Sequence, residues 1–475
     1  MFVYILKRIL FFIPTILIIS VLTFALSKMT PGDPVRLALG NQDQGEGSGG
    51  ASDKLAGEKA YLSMAEDLGL NLPAFYVQIS NAATPDTLYK YIKKPERDNL
   101  ERLISMYGNW PQIEQYYSSI KNVEYALLDV KQDSTTFEKG RKIKENCAKL
   151  YQEYKDRNVT GYIDQIVASS DSLTPLANVH AQATLLQNSY LGIKASATPA
   201  KTYIPSLKWY GFNNQYHRWL SNFLKLDFGF SYADKRPVWS KMKDALPWTL
   251  LLNLIAIIIS YIIAIPLGVT SATRKNSIGD RVSTVSLFVL YSLPSFWIGT
   301  MFIIFFTTPE YGMNFFPNFG VGDVTSDMGW WDIFTERAYH MILPVICLTY
   351  GSWAFLSRMM RGGMLSVLRQ DYIRTARAKG VPDRKVVWKH AFRNSLIPMI
   401  TIFSGLFPAA ISGSFIIENI YSIPGMGQLA FTALMGRDYP IVFTVMMFSA
   451  FLTLVGTLIS DILYAVADPR ISFDK

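Results

Sequence analysis

The chain has 475 residues, of which 50% are hydrophobic and only 17% are charged. Soluble proteins of this size usually carry about a quarter charged residues, so the composition excludes an ordinary soluble protein and indicates a membrane protein. The formal net charge of +9 does not indicate nucleic-acid binding, because the sequence contains no basic soluble domain with interleaved aromatic residues.

Six apolar segments are typical of membrane-spanning helices, which need roughly 20 apolar residues. They are residues 9–26, 248–267, 282–306, 342–356, 396–417 and 441–466. The first segment follows Lys7 and Arg8 and has no small-residue cleavage site after it. We therefore expect a retained anchor and not a removed signal peptide.

The Lys and Arg residues of the short loops predict the orientation of these segments. Residues 358–393, between the fourth and fifth segments, contain ten of them, whereas residues 307–341 contain five acids and one arginine. Basic loops stay on the cytoplasmic side. We expect both termini in the cytoplasm and the loops 27–247 and 307–341 outside, because a long outer segment translocates largely regardless of its charge.

The composition along the chain predicts five parts. Residues 1–40 form the first span and the start of an outer loop, and residues 41–81 a flexible linker that begins rich in Gly and Ser. Residues 82–205 show helical spacing of apolar residues among charges, which predicts a helical outer domain. Residues 206–247 lead to the second span, and residues 248–475 form a core with five spans and a cytoplasmic loop.

The cytoplasmic loop contains a short segment with helix-start and helix-stop signals. Asp371 is a candidate N-cap, Gly380 suits the left-handed residue after a helix end, and Pro382 prevents continuation. A second helix is predicted from Asp383 into the fifth span.

One face of this short helix is suited to contact with another protein. Tyr372, Ala376 and Gly380 lie four residues apart and share a face, flanked by Arg374 and Arg377. Small residues allow close approach, and arginines form bidentate pairs with carboxylates. The alternative is a basic loop that obeys the positive-inside rule and contacts anionic lipid.

Five stretches resemble one family. DYIRTARAKGVPDRKVVWKHAFRNSLIP (371–398) resembles the cytoplasmic signature of bacterial ABC importer permeases, within the dipeptide/oligopeptide (and nickel) group and its B-type subunit. Further matches are RILFFIPTILIISVLTFALSKMTPGDP (8–34), DFGFSYADKRPVWSKMKDALPWTLLL (227–252), IENIYSIPGMGQL (417–429) and DILYAVADPRI (461–471). The resemblance implies an all-α integral membrane protein of the bacterial inner membrane. It has six transmembrane helices of the type I ABC importer permease fold and a helical extracytoplasmic insertion domain.

The resemblance implies that the short helix is a coupling helix, which docks into a cleft of an ATPase subunit. Arg374, Thr375 and Ala376 occupy the positions of the Glu-Ala-Ala triplet of the wider superfamily, from which the first two depart. The predicted ATPase-docking residues are Asp371, Tyr372, Arg374, Thr375, Ala376, Arg377, Ala378, Gly380 and Arg384. The expected partners are a homologous second permease, one or two ATPase subunits, an extracytoplasmic substrate-binding protein and membrane lipid, but no nucleic acid.

No catalytic or metal site is predicted in this chain. The sequence lacks the Gly-x-x-x-x-Gly-Lys-Ser/Thr phosphate loop, so ATP and its Mg ion are expected in the partner ATPase. The four histidines, at 180, 217, 340 and 390, have neither metal-ligand nor triad spacing. We therefore expect no cofactor and no enzymatic activity.

The substrate path is predicted between this bundle and the second permease. Its candidate lining residues, in the third and fifth spans, are Pro294, Phe296, Gly405, Gly413 and Ser414. The alternative for the small residues is ordinary close helix packing. Asp461, an acid near the end of the last span, is expected to pair with a basic residue.

Residues 66–78 resemble a family segment that normally continues directly into residues 215–229, so the part between is an insertion whose role and partner stay open. The nature of the substrate also stays open. The alternative functions are a membrane sensor or scaffold with a ligand-binding outer domain, and an integral-membrane enzyme, for which the spans offer little beyond Asp461.

Overall fold

The computed structural model of the chain describes residues 2–39, 51–130, 134–170, 174–311, 313–411 and 414–467. They form two compact units. The outer unit is Pro31–Lys225, and the membrane unit combines Met1–Thr30 with Leu226–Lys475.

The membrane unit begins with a single helix, α1, which runs Phe2–Met29. Its apolar side chains point away from the rest of the chain, and Leu10 and Phe11 are exposed. Apolar residues all round a helix are typical of a helix that faces lipid.

The outer unit consists mainly of helices, with one two-stranded ribbon. Its elements are α2 (Pro34–Leu39), α3 (Ala51–Asp67), β1 (Val77–Asn81), α4 (Lys94–Tyr107), α5 (Trp110–Leu128), α6 (Ser134–Leu150), α7 (Asp156–Ser170), α8 (Ala177–Ala195), β2 (Pro205–Trp209) and α9 (Gln215–Leu224). Proline stands in the first turn of α4 and α5, where its missing N–H costs no hydrogen bond. Gly108 ends α4 at a φ of +69°, and a Cβ there would lie 2.2 Å from the carbonyl oxygen of Thr198.

The helices α4–α8 enclose one hydrophobic core that extends from Ala83 to Ile193. Tyr116 and Tyr117 lie at its centre and are almost fully buried. The buried amide of Asn99 donates to the hydroxyl of Tyr117 at 3.0 Å and to the carbonyl of Leu150 at 3.3 Å. The helical spacing predicted for residues 82–205 therefore corresponds to a helical bundle with a core of its own.

The strand β1 precedes this helical bundle in the sequence and β2 follows it. The two strands pair antiparallel, with Ile79 opposite Leu207. Sequence reasoning missed both strands, because each has only five residues and mixes polar with apolar side chains. The ribbon brings the two ends of the inserted bundle together.

The membrane unit continues with a second set of helices. They are α10 (Val238–Thr273), α11 (Ile278–Ser292), α12 (Ser295–Thr307), α13 (Trp330–Leu368), α14 (Asp371–Ala378), α15 (Asp383–Lys385), a π-helical turn (Val386–Ala391), α16 (Phe392–Ser395), α17 (Ile397–Ile411), α18 (Phe415–Ile420), α19 (Met426–Met435) and α20 (Tyr439–Ala467).

Four of the described helices are long and apolar enough to cross a membrane, namely α1, α10, α13 and α20. The predicted third span is broken, since α11 and α12 meet at an angle of 93°. The predicted fifth span corresponds to α17, which is apolar but has only 15 residues. The expected class, a helical integral membrane protein with a helical outer insertion, is confirmed.

Two contacts show how the membrane helices pack. A Cβ at Gly268 of α10 would lie 2.6 Å from the carbonyl oxygen of Ser357 in α13, so the glycine lets these two helices approach closely. At the other side of the unit, Arg8 of α1 forms an ion pair with Asp461 of α20 at 2.8 Å. The predicted pairing of Asp461 with a basic residue is confirmed.

Candidate functional site

The short helix α14, in the loop predicted to be cytoplasmic, begins one residue earlier than predicted. Its N-cap is Gln370, whose carbonyl accepts the first bonds of the helix from the N–H groups of Ile373 at 3.1 Å and Arg374 at 3.3 Å. Asp371 is therefore the first helical residue, and its prediction as N-cap is wrong. Its carboxylate still lies in the first turn, where the helix dipole favours a negative charge.

The end of α14 follows the predicted pattern. Gly380 has a φ of +76°, and its N–H donates to the carbonyl of Arg377 at 2.9 Å, while the N–H of Val381 donates to the carbonyl of Ala376 at 3.2 Å. These two bonds form a Schellman motif. A Cβ at Gly380 would meet nothing within 4 Å, so a larger side chain would fit in the space. Glycine is favoured here because of the left-handed backbone conformation.

The orientation of α14 is set by Ile373. This side chain is fully buried in a cytoplasmic cluster that includes Met364, Val386 and Ala391. Ala376 lies three residues further along the same side of the helix and packs, half-buried, against the same cluster.

The structure divides the predicted docking face, since Ala376 is half-buried while Tyr372 and Gly380 are exposed. Ala376 faces its own chain, and the hydroxyl of Tyr372 accepts a hydrogen bond from Asn394 at 2.8 Å. The face opposite Ile373 is exposed and consists of Asp371, Arg374, Thr375 and Ala378. We call these four residues the outward face of α14. The only large aliphatic side chain of the helix, Ile373, determined which side turned inward.

The charged residues of this segment remain exposed. Arg374 lies 3.7 Å from Asp371, and Arg377 lies 3.2 Å from Asp383. Arg384 is also exposed. Exposed pairs of this kind contribute little to stability, so the guanidinium groups stay available for carboxylates of another surface.

α14 is connected closely to two membrane helices. It follows the long helix α13 after two residues, and it contacts the π-helical turn that leads through α16 into α17. The predicted second helix from Asp383 into the fifth span is confirmed, with a π-helical turn inside it. A Cβ at Gly363 of α13 would lie 3.1 Å from the carbonyl oxygen of Ser395, which shows how closely α13 approaches α16.

A second contact joins α13 to the turn between α10 and α11. Arg361 of α13 bonds the buried carboxylate of Asp280 at 3.0 Å, and the same carboxylate accepts from the N–H of Asn276 at 2.9 Å. Sequence reasoning treated Arg361 only as a marker of the cytoplasmic side. Its contacts connect α13 with the end of α10 and the start of α11.

The predicted substrate-path residues lie on separate elements. Pro294 and Phe296 are exposed at the break between α11 and α12, and Gly405 is exposed on α17. Ser414 is half-buried and precedes α18 as its N-cap. Gly413 lies outside the described residues.

Sequence reasoning missed Glu418, a fully buried carboxylate in α18. One oxygen accepts from the hydroxyl of Thr249 and the N–H of Ser414, both at 3.0 Å. The other oxygen accepts from the N–H groups of Gly427 at 2.7 Å and Gln428 at 3.3 Å, in the first turn of α19. The signal in the sequence was a lone acid between apolar residues, followed by Pro-Gly-Met-Gly.

The glycines of that motif make room for the carboxylate. A Cβ at Gly425 would lie 2.3 Å from the Oε2 atom of Glu418, and a Cβ at Gly427 would lie 2.8 Å from the backbone of Phe415. We call α18, α19 and the turn between them the outer hairpin. Glu418 holds this hairpin together and ties it to Thr249 of α10.

The described residues contain no group of three or more His, Cys, Asp and Glu side chains that could hold a metal ion. The helix α14 is seated on its own chain through Ile373, and its opposite face, with Asp371, Arg374, Thr375 and Ala378, is exposed.

Comparisons with known proteins show which family this sequence resembles. Residues 264–473 match the family model described as "Binding-protein-dependent transport system inner membrane component". The chain is 41% identical to the oligopeptide transport system permease protein AppB of Bacillus subtilis over 269 residues, which cover 56% of this chain and 83% of the relative.

Two further relatives cover similar shares. The peptidoglycan transport system permease protein YejB of Agrobacterium fabrum is 35% identical, with 54% of this chain and 70% of the relative covered. The di/tripeptide transport system permease protein DppB of Pseudomonas aeruginosa is 35% identical, with 55% of this chain and 81% of the relative covered. The matches therefore include little more than half of this chain.

Proposed function

Because the chain belongs to the family of binding-protein-dependent transport system inner membrane components, we propose that it is the permease subunit of an ATP-driven peptide importer. It is a multi-pass inner membrane protein, and its family works with ATPase and substrate-binding partners. Peptides are proposed as the substrate because all three relatives above carry names of permeases for oligopeptides, di- and tripeptides or peptidoglycan. These names do not favour the sensor or scaffold alternative.

The observation that carries the mechanism is the seating of α14. We propose that its outward face, Asp371, Arg374, Thr375 and Ala378, enters a cleft of a separate ATPase subunit. The arginines Arg374, Arg377 and Arg384 pair there with acidic side chains. Ala376 fixes the helix on its own chain, and the exposed residues Tyr372 and Gly380 border the same cleft. ATP and Mg are bound in that partner, and this chain supplies no bond chemistry.

Nucleotide drives transport by binding differently to two states of the complex. When the ATPase subunits close, α14 moves with them. The burial of Ile373 beside Met364 of α13 and the contact of α14 with the π-helical turn before α16 transmit this movement into the bundle. The bundle then alternates between an outward and an inward opening. Packed helices are suited to this, since they shift as rigid elements.

The proposed complex contains a homologous second permease, one or two ATPase subunits and an extracytoplasmic substrate-binding protein. Both termini lie in the cytoplasm, as the distribution of basic residues indicates. The path for substrate runs along the third and fifth spans, past Pro294, Phe296, Gly405, Gly413 and Ser414. The exposure of Pro294, Phe296 and Gly405 in the isolated chain supports a role at a shared surface.

Co-purification with the ATPase tests the docking role. Ala378→Trp places a large ring on the outward face of α14 without touching the buried side, so we expect ATPase subunits to be lost while the variant still folds. The matched control is Lys275→Trp, at an exposed position in the α10–α11 turn. Like the loop that contains α14, this turn is basic and predicted to be cytoplasmic. If the Ala378→Trp variant retained as much ATPase as the control, the docking role of this face would be wrong.

A further inference from the structure

The two-stranded ribbon of the outer unit turns its polar side inward and its apolar side outward. Gln78, Ser80, Ser206 and Lys208 are half-buried. On the opposite side, Ile79 is 83% exposed, Leu207 73% and Trp209 66%. An antiparallel ribbon with one solvated face normally places its apolar side chains toward the core. Here the arrangement is reversed.

Specific contacts hold the ribbon in this orientation. Lys208 forms an ion pair with Asp86 at 2.9 Å and donates to the carbonyl of Thr84. The side-chain oxygen of Gln78 accepts from the hydroxyl of Tyr210 at 2.9 Å. A slip of one residue would exchange the two faces of a strand, and these contacts would be lost. The outward position of the apolar residues is therefore built into the fold.

The exposed residues form one aromatic and aliphatic surface. Ile79 lies opposite Leu207 in the register, Val77 lies opposite Trp209, and the ring of Phe212 lies 6.5 Å from that of Trp209. Phe212 is 68% exposed. We call Ile79, Leu207, Trp209 and Phe212 the ribbon face. Large contiguous apolar surfaces of this kind are contact sites and not ordinary solvent surface.

The charge around the ribbon face indicates its partner. Residues 68–85 contain no charged side chain, and residues 199–225 contain no acid but the basic residues Lys201, Lys208, Arg218 and Lys225. Lys208 is paired with Asp86 on the inward side, so Lys201, Arg218 and Lys225 supply the positive charge. Tryptophan and other aromatic residues beside basic residues are typical of segments at the boundary between lipid headgroups and acyl chains. Basic residues also attract anionic headgroups.

A short segment of chain connects this surface to a candidate membrane helix. Only residues 210–237 separate Trp209 from α10, one of the helices long and apolar enough to cross the bilayer. We propose that the ribbon face inserts into the headgroup boundary of the membrane that α10 crosses, and so anchors the outer domain to the lipid surface. On the topology proposed above, this is the outer leaflet.

Spin labels on single cysteines test the proposal in the full chain, reconstituted in vesicles of phosphatidylethanolamine and phosphatidylglycerol. The native thiols of Cys147 and Cys347 are buried, which limits background labelling. Ile79→Cys and Leu207→Cys carry the label on the ribbon face. Leu10→Cys on the exposed apolar side of α1 is the lipid control, and Glu101→Cys, exposed on α4, is the water control.

The measurement is the ratio of collisions with oxygen, which concentrates in lipid, to collisions with a water-soluble nickel chelate. We expect the collision ratios of the labels at Ile79 and Leu207 to lie close to the ratio of the Leu10 label and far from the ratio of the Glu101 label. A ratio equal to that of the Glu101 label would overturn the proposal. Protection from both reagents would also overturn it, since the face would then be covered by protein. Loss of chelate access only on adding a substrate-binding protein would assign the face to that partner instead.

Discussion

At the scale of single residues, the buried carboxylate of Glu418 connects three segments of the membrane unit. Its four hydrogen bonds reach Thr249 in α10, the chain before α18 and the first turn of α19. Backbone N–H groups at a helix start carry partial positive charge, which stabilises an anion there. The carboxylate therefore defines the shape of the outer hairpin.

Replacement of Glu418 by Gln tests this arrangement. A glutamine has one accepting oxygen, whereas the carboxylate has two. The NH2 group of the glutamine therefore faces two hydrogen-bond donors, which lose their acceptor. We expect a loss of about 2 kcal/mol in the free energy of unfolding, the usual cost of a buried polar group left without a partner. Thermal unfolding of the purified protein in detergent measures it. Glu310→Gln, at an exposed position, is the control, and equal melting temperatures for both variants would contradict the account.

Glu124 in the outer domain lowers the stability of the folded state at neutral pH, whereas Glu418 raises it. Burial raises the pKa of this carboxyl above its ordinary value of 4.5, although the hydroxyl of Tyr151 donates to it at 2.9 Å and opposes the shift. A carboxyl whose pKa is raised by folding binds its proton more tightly in the folded state. Its contribution to stability is therefore lost as the pH rises from about 4.5 through the raised pKa.

Glu124→Gln should therefore stabilise the outer domain at neutral pH, because glutamine stays uncharged and can still accept from Tyr151. The gain should shrink as the pH falls toward about 4.5, where both forms are neutral in the folded state. Hydrogen exchange of peptides from α5 and α6, compared between variant and wild type at each pH, measures the gain. Glu101→Gln, at an exposed position on α4, should leave the stability unchanged at both pH values. A destabilised Glu124→Gln variant at neutral pH would show that burial is not the dominant effect.

At the scale of elements, a side chain of the neighbouring helix α13 stabilises the break between α11 and α12. The hydroxyl of Tyr350 in α13 donates to the carbonyl of Leu293 at 2.7 Å, directly before Pro294. A break inside a membrane helix is tolerated where a neighbouring helix satisfies the freed backbone groups. Tyr350 is the residue that does so here, and it is almost fully buried.

Tyr350→Phe should leave the carbonyl of Leu293 without this donor and keep the ring in place. We expect a loss on the order of 1–3 kcal/mol in stability. Thermal unfolding compared with Tyr311→Phe, at an exposed ring, measures the difference. If both variants melt like the wild type, the break does not depend on Tyr350.

The elements also show where sequence reasoning succeeds and where it stops. The end of α14 was predictable, because a glycine before a valine and a proline is a local signal for a Schellman motif. The face of α14 was not, since it depends on Ile373 meeting Met364 and Val386, which lie on other elements. A break at Pro294 was predictable, because proline interrupts the hydrogen bonds of a helix, but the angle of 93° between α11 and α12 was not.

At the scale of the whole molecule, hydrophobicity located the membrane helices and helical spacing located the outer bundle, since both signals lie within short windows of sequence. The ribbon was missed because β1 and β2 are far apart in the chain, and pairing between distant segments leaves no local pattern. The bond from Thr249 to Glu418 was hidden for the same reason, since these two residues are 169 positions apart.

The central claim is that the outward face of α14 couples a peptide permease to an ATPase. Its most direct test is ATP hydrolysis by the complex of this chain, the second permease and the ATPase subunits in vesicles, with and without peptide-loaded binding protein. We predict that loaded binding protein stimulates hydrolysis in the wild type and with Lys275→Trp, and that Ala378→Trp abolishes the stimulation. Equal stimulation in all three complexes would contradict the claim.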